Sequence, residues 1–191
     1  MPWFLDHTEE MRLVLVVFVL LSALVLPASA ADVNPQLLVL HEADLPYGFQ
    51  PDADDTGVHT NARAAKGADA RTRALLRRSG RITGYQADYD FGDTTIRSRA
   101  DVFRTPEGAT LVLNAAAREF DAAGIRGMHR SPLRIGAVGL VFGQRSGSST
   151  LNYVLWRYDR VVAGIAAWGV TKARAIALAR TQQRRIAAAL R

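Results

Sequence analysis

The feature that most restricts this fold is the way its strand-like segments are grouped. Ile82 to Phe91 places Tyr85, Ala87, Tyr89 and Phe91 on one face at a period of two, with Gln86, Asp88 and Asp90 opposite, as a half-buried strand does. Gly92-Asp93 turns the chain into Thr95 to Arg104, where Ile96, Ser98, Ala100 and Val102 alternate with Arg97, Arg99 and Asp101, so a hairpin is predicted. Three apolar runs come later, Ala137 to Gln144, Leu151 to Tyr158 and Val161 to Trp168. Connected by Ser146-Gly147-Ser148-Ser149 and by Asp159-Arg160, they read as a meander. The last run is apolar on both faces and is expected near the middle of the sheet. Strands arriving as a pair and then a triplet disfavour a doubly wound nucleotide fold, in which strands and helices alternate.

Helical segments separate these groups. Asn61 to Arg78 is rich in Ala and Arg and stops at Ser79-Gly80, with Gly67 costing about 1 kcal/mol against Ala in its middle. Thr105-Pro106-Glu107 opens a second helix whose apolar stripe includes Ala109, Val112, Leu113, Ala116 and Phe120, ending at Gly124. Thr171 to Leu190 closes the chain with Ile176, Ala179, Ile186, Ala187 and Leu190 aligned. The order predicts an α+β domain over residues 60–191: an antiparallel sheet of about five strands with helices packed on one face. Ahead of it, residues 32–59 form a lead-in. Asp44-Leu45-Pro46-Tyr47-Gly48-Phe49 is expected to turn and plug the core, and the acidic Gln50 to Val58 stretch is expected to remain a surface loop. Ile125 to Pro132 reads as basic and irregular.

Upstream, Met11-Arg12, an unbroken apolar run from Leu13 to Leu26 and Pro27-Ala28-Ser29-Ala30-Ala31 have the three-part layout of a secretory signal peptide over residues 1–31. The run is shorter than the roughly 17 to 25 residues that span a bilayer, so cleavage and export are expected, with an uncleaved anchor as the alternative. Asp6, Glu9 and Glu10 precede it where positive charge is wanted, which makes Met11 the expected start. The sequence holds no cysteine, which excludes disulfides, thiolate metal sites and a thioether lipid anchor.

Downstream of the leader the chain carries 23 Lys and Arg against 15 Asp and Glu. Long-range attraction then favours anionic partners, and outside a cell these are anionic lipid or wall polymer. No nucleic-acid module is readable. The densest basic stretch, Arg71, Arg73, Arg77, Arg78 and Arg81, is a candidate anionic-surface contact whose ordinary reading is an exposed helix face. Tyr85, Tyr89, Phe91, Trp156 and Trp168 are candidates for lining an apolar ligand cavity between sheet and helices, against the plainer reading of core packing.

No catalytic or metal motif of comparable strength is present. Asp52-Ala53-Asp54-Asp55-Thr56-Gly57 begins like a calcium loop, but its twelfth position is Arg63 where a bidentate glutamate is required. His41, His59 and His129 lie far apart without metal-ligand spacing, and Ser146, Ser148 and Ser149 lack the Gly-x-Ser-x-Gly elbow. No phosphate-cradling loop ends in Gly-Lys-Ser or Gly-Lys-Thr. No catalytic residue, metal or cofactor is implied.

The Asp44-Leu45-Pro46-Tyr47-Gly48-Phe49 turn, the Ile82-Thr83-Gly84-Tyr85 strand, Ser98-Arg99-Ala100-Asp101-Val102-Phe103-Arg104 leading to a helix, and the closing strand and helix resemble poorly characterised exported proteins and lipoproteins of bacteria. In layout they are similar to extracellular sensor-like domains of actinobacterial serine/threonine kinases. The resemblance implies no catalytic residue. The expected function is a non-enzymatic extracytoplasmic binding or sensor-like domain for a small apolar ligand or an anionic surface. An envelope hydrolase and a purely structural envelope protein are the alternatives.

Overall fold

The computed structural model describes residues 33–122, 129–146 and 149–191. The expected leader, the helix stop at Gly124 and the centre of the Ser146–Ser149 connection lie outside them. Two 3-10 turns, Pro35–Leu38 and Glu42–Asp44, precede β1 (Gln50–Val58), α1 (Asn61–Ala65) and α2 (Ala70–Arg78). The hairpin β2 (Arg81–Phe91) and β3 (Thr94–Phe103) is followed by α3 (Pro106–Ala122) and β4 (His129–Pro132). The meander β5 (Val138–Ser146), β6 (Ser149–Tyr158) and β7 (Val161–Trp168) leads into α4 (Lys172–Ala189). One sheet results, in spatial order β1-β2-β3-β7-β6-β5-β4, with every neighbouring pair antiparallel.

The expected hairpin and meander are present, and β7 is the central strand, but the sheet has seven strands rather than five. Both additions are edges. β1 forms in the stretch expected to be a loop, because β2 supplies its hydrogen-bond partners. The Thr56 hydroxyl accepts from the Asp88 backbone N–H at 3.0 Å, and the Asp55 carbonyl accepts from Gln86. A register shift between Asp52 and Gly57 absorbs the irregular composition, as bulged edge strands do. β4 pairs four residues with Leu140 to Gly143 and ends on Pro132, a residue tolerated at a sheet edge.

The first expected helix is two. Lys66 ends α1, Gly67 takes the left-handed φ of +73°, and Asp69 starts α2 by accepting from the Thr72 N–H at 2.7 Å.

The helices do not share one face, which corrects the one-sided packing expected above. Val161, Ala163, Ile165 and Ala167 of β7 pack with Ala175, Leu178, Ala179 and Ile186 of α4. On the opposite side Val162 joins Phe103, Ala109 and Leu113 in a second cluster under α3. Both clusters are dictated by one strand that is apolar at both parities.

The lead-in belongs to the same compact unit, Val33–Arg191. Leu38, Val39 and Leu40 are buried, and the Leu40 N–H donates to Ser98 Oγ at 2.9 Å while its carbonyl accepts from the Tyr89 hydroxyl at 2.9 Å. Of the following turn, Phe49 is buried and Leu45 packs half-buried against the same core, while Tyr47 stands fully in solvent, so the plug is Phe49 with Leu45. Arg185 of α4 donates to Asp44 at 2.6 Å and fastens this segment to the closing helix.

Candidate functional site

The face carrying α3 is covered only in part, and register explains what is left open. Three successive rows of side chains cross it. One runs Asp88, Arg97, Ala166, Tyr153; the next Gln86, Arg99, Gly164, Leu155; the third Gly84, Asp101, Val162, Arg157. In the first two rows a guanidinium is followed by a minimal residue and then by a large apolar or aromatic one. Gly164 and Ala166 therefore leave a trough, roofed by Ala116 of α3 and lined by Gln86, Arg97, Arg99, Tyr153 and Leu155, with a volume of about 250 Å³. A Cβ built on Gly164 would meet nothing closer than Leu155 at 3.5 Å, so the space above it is real.

The arginine wall is braced from behind. Arg97 donates through Nε to Asp88 at 2.7 Å and through Nη2 to Asp88 and Asp55 at 2.5 and 3.0 Å. Arg99 donates through Nε to Asp101 at 3.0 Å and faces His59 Nδ1 at 3.2 Å. Deeper, Arg81, with 1% of its side chain exposed, donates to Asp101 at 2.5 Å, to Asn61 Oδ1 at 2.7 Å and to the His59 carbonyl at 2.6 Å. Among the described residues neither Arg97 nor Arg99 spends its Nη1 on a protein acceptor, so each keeps donors for something else.

Titration follows from these contacts. Burial pushes the Asp88 carboxyl above its ordinary range while the hydrogen bond from Arg97 pulls it back. Its Oδ1 has no partner among the described residues. Burial also raises the Tyr153 phenol, which stays a donor at neutral pH. His59 is lowered to about 4, by burial first and then by the Arg99 charge, with Arg81 and Arg63 adding and Asp101 opposing. Because its folded value lies below the unfolded 6.5, the unfolded chain binds the extra proton between these two values. Stability is therefore complete above pH 6.5 and declines as pH falls toward 4. As pH falls through this window the wild-type unfolding midpoint is expected to drop relative to that of His59→Asn; a constant difference between the two would contradict the assignment.

The sequence candidates are dispersed. Tyr85, Tyr89 and Trp156 project to the α4 side, where Trp156 is fully buried. Trp168 lies on the trough side against Tyr153, ring centroids 6.2 Å apart, and Phe91 is exposed at the hairpin end beside Phe49. Arg71, Arg73, Arg77 and Arg78 are exposed on α2, whereas Arg81 is buried in the charged cluster. Tyr153 is legible as one of the strand aromatics, of opposite parity to Trp156, whereas no sequence motif marks Arg97, Arg99, Gly164 and Ala166 as site residues. Two arginines on the polar side of an alternating strand were the available signal, and the pairing of residue 97 with 166 was not. Among the described residues His59 meets Arg99 and no hydroxyl, and no group of three His, Cys, Asp or Glu is placed to hold a metal. No helix among them is long and apolar enough to cross a membrane.

No protein-family model and no curated protein sequence matches the chain. In fold it is similar to the extracellular domain of PknH from Mycobacterium tuberculosis, at 12% sequence identity and a TM-score of 0.52, over 79% of this chain and 93% of that domain.

Proposed function

We propose that this chain is an extracytoplasmic, non-enzymatic binding module of sensor-like architecture, and that the trough under α3 is its ligand site. The observation that carries the reading is the bare Gly164–Ala166 floor between the Arg97–Arg99 wall and the Tyr153–Leu155 wall. A ligand with a flat apolar body and one carboxylate-like end fits that polarity, since apolar walls with a few fixed donors are how small-molecule sites orient their guests. At about 250 Å³ the trough suits a small molecule rather than a polymer. The likeness in fold to a kinase extracellular domain supports the sensor-like part of the reading, and the leader-like residues 1–31 support export.

Gly164→Val supplies the test. A Cβ at this position makes ordinary contacts, 3.5 Å to Leu155 and 3.6 Å to the Val154 carbonyl, and valine favours a strand, so the variant is expected to fold with a melting temperature close to that of wild type. Naphthoate is expected to raise the wild-type melting temperature and leave the variant unmoved. Equal shifts in both proteins, or none in wild type, would remove the trough as the site.

A further inference from the structure

A second concavity lies at the opposite end of the charged cluster, between α1, α2 and the start of β2. It measures about 400 Å³ and is lined by Asn61, Leu76, Gly80 and the guanidinium-bearing Arg73, Arg77 and Arg104, with Arg81 at its floor. Arg73 and Arg77 stand four residues apart on α2 and so share a helix face. Arg104 is delivered from the far end of the hairpin. Its N–H donates to the Gly80 carbonyl at 3.0 Å, and its stem lies 3.5 Å from where a Cβ of Gly80 would sit.

Three cations thus converge from two segments, and among the described residues no acid lies in ion-pair contact with any of them. Asp69, one turn before Arg73, feels that charge but spends its carboxylate as the N-cap of α2, and Asp101 is divided between Arg81 and Arg99. Arg73 spends one nitrogen on the Ala68 carbonyl. Attraction to the helix C-terminus explains Arg77, in the last turn, but neither Arg73 in mid-helix nor Arg104 on another element. Like charges at this spacing lower helix stability, so the grouping is not a folding device.

We propose that this cleft binds a phosphate-bearing ligand, a group of at least two negative charges held by the forks of Arg73, Arg77 and Arg104. Planar guanidinium groups match tetrahedral oxyanions through paired N–H donors, and a multiply charged group balances a triple positive site better than a single carboxylate does. The site is separate from the trough under α3 and does not depend on its occupancy.

The experiment titrates the purified protein with inorganic pyrophosphate by calorimetry at low and physiological ionic strength. Arg77→Ser, Arg104→Ser and the control Arg174→Ser on α4 are measured beside wild type. All these side chains are exposed, so each variant is expected to fold. Saturable binding that weakens by about tenfold in either cleft variant, and is unchanged in the control, is the expected result. Absent binding, or equal weakening in the control, overturns the proposal because general attraction to a basic protein then suffices. A parallel arm offers vesicles of phosphatidylcholine with and without phosphatidic acid. Retention on the phosphatidic acid vesicles, released by pyrophosphate and lost in Arg104→Ser, assigns the phosphate to a lipid headgroup. Binding of pyrophosphate without retention assigns it to a soluble ester.

Discussion

Replacing Arg81 by methionine is expected to lower the free energy of unfolding by about 3 to 5 kcal/mol, the range for removing one partner of a buried ion pair. Only 1% of the Arg81 side chain is exposed, and its nitrogens serve Asp101, Asn61 and the His59 carbonyl. The methionine fills the stem but leaves Asp101, itself 13% exposed, with Arg99 as its remaining cation. Asn61 Oδ1 loses its donor, so α1 loosens together with the end of β1. In urea the midpoint should fall while the slope stays constant, since the surface exposed on unfolding is unchanged. A loss below about 1 kcal/mol would place the pair among exposed salt bridges instead. Arg81→Lys should recover little, because one ammonium cannot reach three separated acceptors in the plane a guanidinium spans.

Gly84→Ala is expected to be nearly as damaging although it adds one methyl group. A Cβ at this position falls 2.1 Å from Asp101 Oδ1, 2.7 Å from Arg81 Nη2 and 2.8 Å from the Ala100 carbonyl. Part of the cost is overpacking, about 1 to 3 kcal/mol, and part is separation of the ion pair whose partners the methyl group meets. Since both substitutions act on one pair, their costs should not add. Gly84→Ala made on top of Arg81→Met is expected to cost less than it does alone, with a coupling of about 1 to 2 kcal/mol. Strict additivity in the four-protein cycle would show that the methyl group is accommodated elsewhere.

Much of this architecture could be read from residue order, and the parts that escaped did so for physical reasons. The period-two alternation of Ile82–Phe91 and Thr95–Arg104 is local, so β2 and β3 are legible, as is the two-sided apolar β7. That same β7 pattern already requires cover on both faces; Val161 and Val162 end in different clusters, each under its own helix. β1 is illegible because Pro51, Asp52, Asp54, Asp55 and Gly57 describe a loop, and only β2 supplies the partners that make a strand of them. The trough depends on Arg97 lying opposite Ala166 and Arg99 opposite Gly164. Such pairing joins residues nearly seventy apart and leaves no periodic trace. The cleft beside α2 was half visible: Arg73 and Arg77 stand out in the sequence, Arg104 and Asn61 do not.

The junction of β3 with β7 sets the timing of assembly. Within the sheet, β1–β3 and β4–β7 meet along this one line of pairing, Thr95–Val102 against Val161–Trp168. A chain emerging N-terminus first therefore holds an early hairpin whose inner rim, with Ile96, Ala100 and Val102, waits unsheltered until the last strand has appeared. Late closure of so distant a contact slows folding and prolongs exposure of an unpaired rim. Truncation before Val161 would strand the molecule in that state, which makes the final thirty or so residues the keystone of solubility as well as of the fold.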